Sequence, residues 1–505
     1  PGEPLRADID PLLSIFGRYG LTGRETRPLR DTGLDSLKLA EFAHDLKTHI
    51  ELEGFDELSQ QVDLRLLQKM AVAQLFEVVG AVQSGSLYSR FRFRRAFAQL
   101  QSEFESIEME AMRADLATPL ATDAHGSLGD GPRAKNGILI TGGTGFFGPF
   151  LVQSLLEQNT DDLYVLVRAE TPREGMKRLR SAFLEVDATP GIRDEFERRI
   201  VPVCGDISQR GLGVDEEQWS FLAASIHTIY HNGAQVNYLL DYGSMRDANV
   251  NGTAEILRLA HDSRRKVVNH ISTTFIFGWS VKDTLFEVDS NAAMENLDFG
   301  YSQTKWVSEG LVARAMSNGL DARIFRPALI SPLITGGGDN FDISVRLLSF
   351  MVNNGISTSA RNQVSFTPAD IAANNIVAIS NIKASAGTVF HVTRDTYDTM
   401  QDVTDVLSDL TGRDFAIFPM EDFVPEVVQR CRKEDLLAPL LNFLVLSSDK
   451  ISSMQFKRYD NGNYQRFRDM SPSGRADLPL EDVVLGIYRF MSNRGIINGQ
   501  RADHV

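Results

Sequence analysis

The chain has 505 residues, of which 43% are hydrophobic and 24% are charged, as in a folded protein of two or three domains. Its formal net charge of −15 argues against nucleic acid as a partner, because phosphate binding requires a positive field. No run of about 18 apolar residues occurs, so we expect no membrane partner. With two cysteines and scattered histidines, the chain is predicted to hold no disulfide framework and no metal, and to reside in the reducing cytoplasm.

The first part of the chain is predicted to be helical. Apolar residues at helical spacing indicate a small four-helix domain over residues 1–83, whose second helix begins at Ser36. Residues 84–135 are expected to contain one further helix, over 88–114, and a flexible linker over 117–135, where Pro, Gly, Ser and Asp replace the periodic pattern. Because the chain does not begin with Met, we expect it to be part of a longer polypeptide.

From residue 136 onward, strands and helices are predicted to alternate. Six short apolar segments are interpreted as strands: Gly137–Thr141, Leu163–Val167, Ile200–Cys204, Ile226–His231, Val267–Ile271 and Ala322–Phe325. This alternation predicts an α/β fold with a doubly wound parallel sheet of the Rossmann type over 136–334. Residues 335–505 are expected to form a smaller substrate-binding lobe, with some elements returning to the sheet.

A glycine-rich segment directly follows the first strand. It has the sequence T-G-G-T-G-F-F-G, and a helix is predicted to begin at its last glycine. The glycines allow a tight turn close to a pyrophosphate, and the first N–H groups of the helix attract its charge. An ordinary glycine-rich turn is the alternative, but the sheet pattern favours a dinucleotide site. We expect cofactor contacts from Thr141, Gly142, Thr144, Gly145, Phe146, Phe147 and Gly148.

The end of the second strand indicates which nicotinamide cofactor is bound. Arg168 lies twenty residues after Gly148, near the place where an NAD-binding chain usually has Asp or Glu. An arginine can stack on adenine and pair with a 2′-phosphate, so NADPH is favoured, with a second contact from Arg178 or Lys177. The nearby Glu170 weakens this assignment, and a surface salt bridge is the alternative role for Arg168.

The ends of the third and fourth strands are also expected to contact the cofactor. Ligands bind at the carboxyl ends of the strands in sheets of this kind. We assign Asp206 and Ile207 to the adenine, and Asn232, Gly233 and Ala234 to the ribose side.

A Tyr-x-x-x-Lys pair predicts acid–base catalysis. Tyr301 and Lys305 lie four residues apart on a predicted helix and therefore share one face. A tyrosine with its ordinary pKa of about 10 is a poor acid–base group at neutral pH, and a lysine ammonium beside it favours the phenolate. The lysine can also hold the nicotinamide ribose. After the fifth strand we choose Thr273 as the hydroxyl that polarises a substrate carbonyl, with Ser272 and Thr274 as alternatives.

On its own, Tyr-x-x-x-Lys is common and usually marks an exposed helix face. After the glycine-rich turn and the hydroxyl-rich strand end, the pattern resembles the extended short-chain dehydrogenase/reductase family. The pair Arg326–Pro327 resembles the segment that lines the nicotinamide in that family. The resemblance implies that Pro327 and Ile330 contact the cofactor.

A third motif lies near the start of the chain. Residues 31–37, with the sequence D-T-G-L-D-S-L, look like the phosphopantetheine attachment site of acyl and peptidyl carrier proteins. The resemblance implies that Ser36 carries a 4′-phosphopantetheine arm, attached by a phosphopantetheinyl transferase. A hydroxyl at a helix N-terminus suits a phosphodiester. An ordinary helix cap at Asp35 or Ser36 is the alternative.

A carrier followed by such a reductase resembles the terminal module of nonribosomal peptide and polyketide synthetases, and more distantly the carboxylic acid reductases. The resemblance implies upstream synthetase modules and an NADPH-dependent thioester reductase that releases an acyl or peptidyl chain from the arm. Tyr301 and Thr273 then polarise the thioester carbonyl, hydride attacks its carbon, and the hemithioacetal collapses to an aldehyde. Further reduction to an alcohol is left open.

Two other functions share part of this pattern. A nucleotide-sugar epimerase or dehydratase has the same sheet, turn and Tyr-x-x-x-Lys pair, but the carrier motif and Arg168 argue against it. A non-catalytic scaffold that docks the carrier is disfavoured because Thr273, Tyr301 and Lys305 are all present.

Overall fold

The structure is a computed structural model of the chain. It describes residues 11–34, 36–54, 59, 62, 64–83, 107–120 and 137–497, apart from 239, 279, 281, 291–293, 295, 296, 298, 339, 340, 433, 442, 443 and 445–456. Within its helices, the side chains of residues 36, 37, 40, 64, 65 and 81–83 are not described. The chain divides into two compact units, residues 1–111 with 424–449 and residues 112–423 with 450–505.

The described part of the N-terminal unit is helical around a small apolar core. The Phe16 ring packs edge-on against Phe42 and Phe76, with ring centroids 5.0 and 5.1 Å apart. Residues 424–449, which we expected in the substrate lobe, group with this unit, where the 3₁₀ turn Ala438–Leu440 contacts the second helix. The helices are Pro11–Arg18, Ser36–Leu52, Leu64–Leu67 and Val72–Gln83.

Residues 29–33 form a tight turn. A 3₁₀ helix spans Leu29–Thr32, and the Thr32 hydroxyl donates a hydrogen bond of 2.5 Å to the Leu29 carbonyl oxygen. Gly33 follows with a φ of 85°, a left-handed conformation that glycine adopts without strain. The next helix begins at Ser36, as the sequence predicted.

A helix over 107–116 leads into the second unit. The buried Asp115 accepts hydrogen bonds of 2.6 Å from the Tyr242 hydroxyl and of 2.5 and 2.6 Å from the Arg246 guanidinium. The Arg314 guanidinium donates to the carbonyl oxygens of Leu116 and Thr118. The described part of the expected linker, 117–120, is therefore attached to the second unit, while 84–106 and 121–136 lie outside the described residues.

The core of the second unit is a parallel sheet of seven strands. The six predicted strands are confirmed, and the structure adds a seventh that was not predicted. The strands are β1 (Gly137–Thr141), β2 (Asp162–Val167), β3 (Ile200–Cys204), β4 (Ile226–His231), β5 (Val267–Ile271), β6 (Ala322–Pro327) and β7 (Val389–Val392).

The order of the strands places a crevice next to β1. The sheet runs β3-β2-β1-β4-β5-β6-β7, so successive strands are added on one side of β1 as far as β3 and on the other side from β4 onward. The connections from β1 and from β4 therefore leave the sheet in opposite directions, and ligands bind at this switch point in doubly wound sheets. The predicted fold class is confirmed.

Helices cover the sheet. Gly148–Gln158 packs against Ala369–Ser380, and Gly252–His261 packs against Gly300–Ser317. The other α-helices that the structure describes after β1 are Pro172–Phe183, Pro190–Arg199, Glu216–Ser225, Tyr242–Arg246, Ile343–Asn354, Met400–Thr411, Met420–Arg430, Gly462–Met470 and Leu480–Asn493. Short parallel pairs join Leu329–Ser331 to Phe366–Pro368, Ile356–Thr358 to Ala416–Phe418, and Thr284–Leu285 to Arg458–Tyr459. None of the helices in the described residues is long and apolar enough to cross a membrane.

A buried carboxylate joins the late part of the chain to the sheet. Glu287 accepts backbone hydrogen bonds from His391 in β7 at 2.9 Å, from Asn463 at 2.6 Å and from Tyr464 at 3.0 Å. Burial raises the pKa of Glu287 to about 7, although the three N–H groups act in the opposite direction. The helix Gly462–Met470 is thereby fixed beside the last strand.

Candidate active site

The glycine-rich turn after β1 is closed by backbone contacts. Gly142 has a φ of 73°, and a Cβ atom there would lie 2.8 Å from the Gly233 Cα atom. A Cβ atom at Gly148 would lie 2.1 Å from the Gly142 carbonyl oxygen. Neither position can therefore accept a side chain without movement of the turn.

The Thr141 hydroxyl ties this turn to the end of β4. It accepts a hydrogen bond of 2.8 Å from the Gly233 N–H and lies 2.9 Å from Nδ1 of His231. The other ring nitrogen of His231 lies 2.9 Å from the Thr253 hydroxyl. Burial, and to a smaller extent the charge of Lys305, lowers the pKa of His231 to about 3, so this imidazole is neutral and structural.

One cavity of about 470 Å³ begins at this turn and continues to the Tyr-x-x-x-Lys pair. It brings together most of the residues that the sequence singled out: Gly142, Gly145, Phe146, Phe147, Asn232, Ala234, Thr273, Tyr301, Lys305, Pro327 and Ile330. The first helix after β1 begins at Gly148, so its N-terminal N–H groups are next to the turn.

Other predicted cofactor residues lie outside the cavity lining. Arg168 is exposed at the end of β2, and the Arg178 guanidinium donates to its carbonyl oxygen. The Asp206 carboxylate accepts hydrogen bonds of 2.9 and 2.7 Å from the N–H and the hydroxyl of Ser208. Ile207 is close enough to Gly233 that a Cβ atom on that glycine would lie 3.0 Å from Cδ1 of the isoleucine. Thr144 does not line the cavity either.

The helix Gly300–Ser317 positions the predicted acid–base pair. It begins at a glycine because the backbone at Asp241 lies so close that a Cβ atom on Gly300 would be 2.4 Å away. Tyr301 and Lys305 are both buried, and the Lys305 ammonium donates a hydrogen bond of 2.8 Å to the Ile271 carbonyl oxygen at the end of β5. The lysine is thus fixed under the cavity by the strand that also supplies the hydroxyl.

The structure distinguishes the three candidate hydroxyls after β5. Thr273 lies close enough to Tyr301 to lower the pKa of its phenol, whereas Ser272 donates to the Glu309 carboxylate and Thr274 acts in the same way on the pKa of Tyr459. Thr273 also caps the following 3₁₀ helix by accepting the Phe275 N–H at 3.2 Å. Of the three, Thr273 is the one placed beside the tyrosine.

The protonation state of Tyr301 differs from our expectation. We expected Lys305 to bring its pKa toward neutrality, but burial and then the charge of Asp342 raise it, and the Thr273 hydrogen bond offsets this only in part. Burial lowers the pKa of Lys305 to about 8. Tyr301 is therefore held as the neutral phenol, which is the form that can donate a proton.

A buried ion pair behind the cavity was missed in the sequence. The Arg326 guanidinium contacts both carboxylate oxygens of Glu309, the shortest contact being 2.6 Å, and lies 3.2 Å from His391 Nε2. Glu309 also accepts the Ser272 hydroxyl, so the pair fixes the strand end next to Thr273. A signal was present, because Glu309 continues the spacing of Tyr301 and Lys305 by another four residues along one helix face.

The end of the cavity beyond Tyr301 was also missed. It is lined by Tyr238, Phe275, Phe341 and Asp342, which come from loops and helix starts and share no motif. The Asp342 carboxylate accepts a hydrogen bond of 2.7 Å from the Ile343 N–H and one of 3.3 Å from the Tyr238 hydroxyl. Burial raises the pKa values of both Tyr238 and Asp342.

The sequence of the second unit is similar to that of known proteins. A family model described as male sterility protein, an NAD-binding domain, matches residues 140–376. A subunit of linear gramicidin synthase from Brevibacillus parabrevis is 31% identical over 342 residues, which are 66% of this chain and 7% of that protein. The chain spans 7%, 26% and 37% of three curated relatives that it matches, so it corresponds to a part of each.

Two solved structures extend the comparison. The terminal R domain from the myxalamid PKS-NRPS biosynthetic pathway is 30% identical, with a TM-score of 0.71, over 78% of this chain and 100% of that one. A thiolation-reductase di-domain from an archaeal non-ribosomal peptide synthetase has a TM-score of 0.66 over 96% of both chains. Its identity of 17% shows a shared fold alone.

Proposed function

Because the chain belongs to the family of terminal reductase domains of nonribosomal peptide and polyketide synthetases, we propose that it reduces the thioester of a carrier-bound acyl or peptidyl chain and releases an aldehyde. The main support is the single cavity that joins the glycine-rich turn to Thr273, Tyr301 and Lys305. A cofactor at one end and a carbonyl group at the other would meet inside it.

A nicotinamide cofactor fits the turn after β1. The positions where a Cβ atom would strike backbone, Gly142 and Gly148, keep the turn narrow enough for its N–H groups to approach a pyrophosphate. When bound, the reduced nicotinamide supplies the hydride. NADPH is the proposed form because the Arg178 guanidinium lies against the backbone of Arg168, so both arginines lie after β2, where a guanidinium can pair with a 2′-phosphate. A higher kcat/KM with NADH than with NADPH would contradict this assignment.

Thr273, Tyr301 and Lys305 account for the acid–base step. A carbonyl oxygen between the Thr273 and Tyr301 hydroxyls would accept two hydrogen bonds, which polarise the carbonyl as negative charge develops on its oxygen. Tyr301, held neutral by its raised pKa, gives its proton to that oxygen. Lys305 keeps a positive charge behind the site while it is protonated. The C–S bond of the substrate then breaks and leaves an aldehyde and a thiol.

The N-terminal unit is proposed to be the carrier. The Gly33 turn and the helix that begins at Ser36 have the form that the attachment motif predicts, although the Ser36 side chain lies outside the described residues. We propose that a phosphopantetheinyl transferase places 4′-phosphopantetheine on Ser36 and that upstream synthetase modules deliver the chain. A tether of this kind gives an effective substrate concentration of about a millimolar.

The decisive experiment is product analysis by mass spectrometry. The carrier is loaded with an acyl-pantetheine arm, loading is verified by intact mass, and NADPH is added. We expect release of an aldehyde with one NADPH consumed per chain, or of an alcohol with two. The proposal is wrong if a panel of acyl groups gives no release despite verified loading and cofactor binding.

The variant Ser36→Ala is the matched control for the carrier. It should stop turnover of carrier-bound substrate and spare a soluble acyl-pantetheine analogue, because the reductase site is unchanged. Loss of both activities would mean that Ser36 is needed for folding.

A further inference from the structure

The cavity end beyond the catalytic tyrosine, defined by Tyr238, Phe275, Tyr301, Phe341 and Asp342, is here called the acyl end. Its aromatic rings form a connected wall. The Tyr238 ring centroid lies 6.0 Å from that of Phe275 and 6.2 Å from that of Tyr301, and the Phe275 and Tyr301 centroids are 6.4 Å apart. A wall of this kind presents aromatic faces and edges to whatever enters.

Asp342 places a carboxylate within this aromatic wall. Among the described residues that line the cavity, it is the only acidic one, and Lys305 is the only basic one. Its position is fixed, because it caps the helix Ile343–Asn354 through the Ile343 N–H and accepts the Tyr238 hydroxyl. Arg346, on the next turn of that helix, partly offsets its charge while donating a hydrogen bond of 2.6 Å to the Phe341 carbonyl oxygen.

The charge of Asp342 keeps Tyr301 protonated but also makes it a weaker acid. Its carboxylate raises the pKa of Tyr301, after the larger effect of burial. A positive group beside Asp342 would offset that effect and would also compensate for burial of the carboxylate. Aromatic faces and a carboxylate are the groups by which proteins recognise ammonium ions.

We propose that the acyl end selects acyl chains that carry an ammonium group, either a protonated amine or a quaternary nitrogen. In this arrangement the ammonium lies against the Tyr238 and Phe275 rings beside Asp342, and the thioester carbonyl lies at Thr273 and Tyr301. This inference rests on the proposed thioester reduction and narrows its substrate class. An uncharged acyl chain would leave the carboxylate of Asp342 facing an apolar group.

The test uses pairs of soluble acyl-pantetheine substrates that differ only in charge. Trimethylammonioacetyl-pantetheine is compared with its carbon isostere 3,3-dimethylbutanoyl-pantetheine, and the comparison is repeated with one and two added methylene groups. Quaternary nitrogen is chosen because it cannot cyclise onto the thioester. We expect kcat/KM with NADPH to be about tenfold or more higher for the charged member at one chain length at least.

The variant Asp342→Asn removes the charge and keeps the shape. Asparagine caps a helix about as well as aspartate, so the helix Ile343–Asn354 should remain intact. We expect the charged-to-neutral ratio of kcat/KM to fall to about one. Asp215→Asn is the matched control, since the Asp215 side chain also caps a helix, Glu216–Ser225, through the Gln218 N–H, does not line the cavity and should leave the ratio unchanged.

The outcomes distinguish failure of the proposed ammonium selection from failure of the proposed thioester reduction. If the neutral member is reduced as fast as the charged one at every chain length, or if Asp342→Asn slows both equally, the inference is wrong while thioester reduction stands. If neither member is reduced by the wild-type protein, nor any other acyl-pantetheine, the proposed function itself fails.

Discussion

The two ends of the cavity are built in different ways. The cofactor end is made of backbone, from the turn over 141–148 and from the start of the loop after β4, and its shape depends on where a Cβ atom cannot fit. The acyl end is made of side chains that come from separate loops and helices, such as Tyr238, Phe275 and Asp342. A backbone site tolerates few changes, whereas a side-chain site can change its preference one residue at a time.

The variant Tyr301→Phe is expected to have the largest effect, and this effect should be confined to the chemical step, without a change at the cofactor end. Loss of the donated proton should lower kcat for thioester reduction by about a thousandfold, a typical contribution of a general acid. Cofactor affinity should change by less than about twofold, because no contact in the turn is altered. Single-turnover kinetics and titration with NADPH measure the two quantities, and a Phe variant with normal kcat would exclude Tyr301 from the mechanism.

The variant Glu309→Gln tests the buried ion pair between Glu309 and Arg326, which lies behind the cavity. Arg326 would remain buried without its counter-charge, which costs about 3–5 kcal/mol of the free energy of unfolding. We expect a fall in kcat as well, because the Ser272 hydroxyl loses a charged acceptor next to Thr273. Denaturant unfolding measures the first effect.

The double variant Glu309→Gln with Arg326→Met is the control for that pair. It removes the orphaned charge and should recover part of the lost stability without restoring kcat. If the double variant is less stable than Glu309→Gln alone, the buried charge was not the cause of the loss.

The cofactor end is tested by Gly148→Ala. The added methyl group would lie 2.1 Å from the Gly142 carbonyl oxygen, so the turn must move, at a cost of about 1–3 kcal/mol. We expect a corresponding loss of NADPH affinity, measured by titration. Gly191→Ala is the control, because it also lies at the start of a helix but has no atom within 4 Å of the new Cβ position. Equal affinity in both variants would contradict our view of the turn.

The smallest effect is expected from pH. The pKa of Lys305 is lowered to about 8, so kcat/KM should fall above pH 8 as the ammonium loses its proton. The same group affects stability in the opposite sense, because between about pH 8 and its ordinary pKa of 10.5 the unfolded chain binds more protons than the folded one. Stability contributed by Lys305 therefore rises with pH while activity falls. A loss of activity that coincides with unfolding would not support this assignment.

The cofactor end could be predicted from the sequence more completely than the acyl end. The sheet and the turn after β1 were predictable because their residues are consecutive and their apolar and glycine positions follow from backbone geometry. The candidate acid–base pair Tyr301 and Lys305 was predicted from helical spacing. Glu309 could have been predicted in the same way, because it lies four residues after Lys305. Asp342 could not, because only the packed fold brings it near Tyr238 and Tyr301.

Two other features, the seventh strand and the raised pKa of Tyr301, could not be predicted from local sequence patterns. The strand Val389–Val392 has buried residues but no alternation, and its place beside β6 depends on contacts made far along the chain. The raised pKa of Tyr301 depends on burial and on a distant carboxylate, neither of which is visible in the spacing of two residues. Sequence spacing predicted the reacting groups, and the fold determines the directions in which their pKa values shift.

Glu287 has a practical consequence for protein engineers who transplant terminal reductase domains between synthetases. A fragment that ends shortly after β7 would contain the complete seven-stranded sheet but would lack the donors at Asn463 and Tyr464, two of the three N–H groups that the Glu287 carboxylate accepts. Such a fragment should express poorly. A usable domain border should not lie before Ile497, because that residue is buried and the Ile496 carbonyl oxygen accepts a hydrogen bond of 3.0 Å from Asn353.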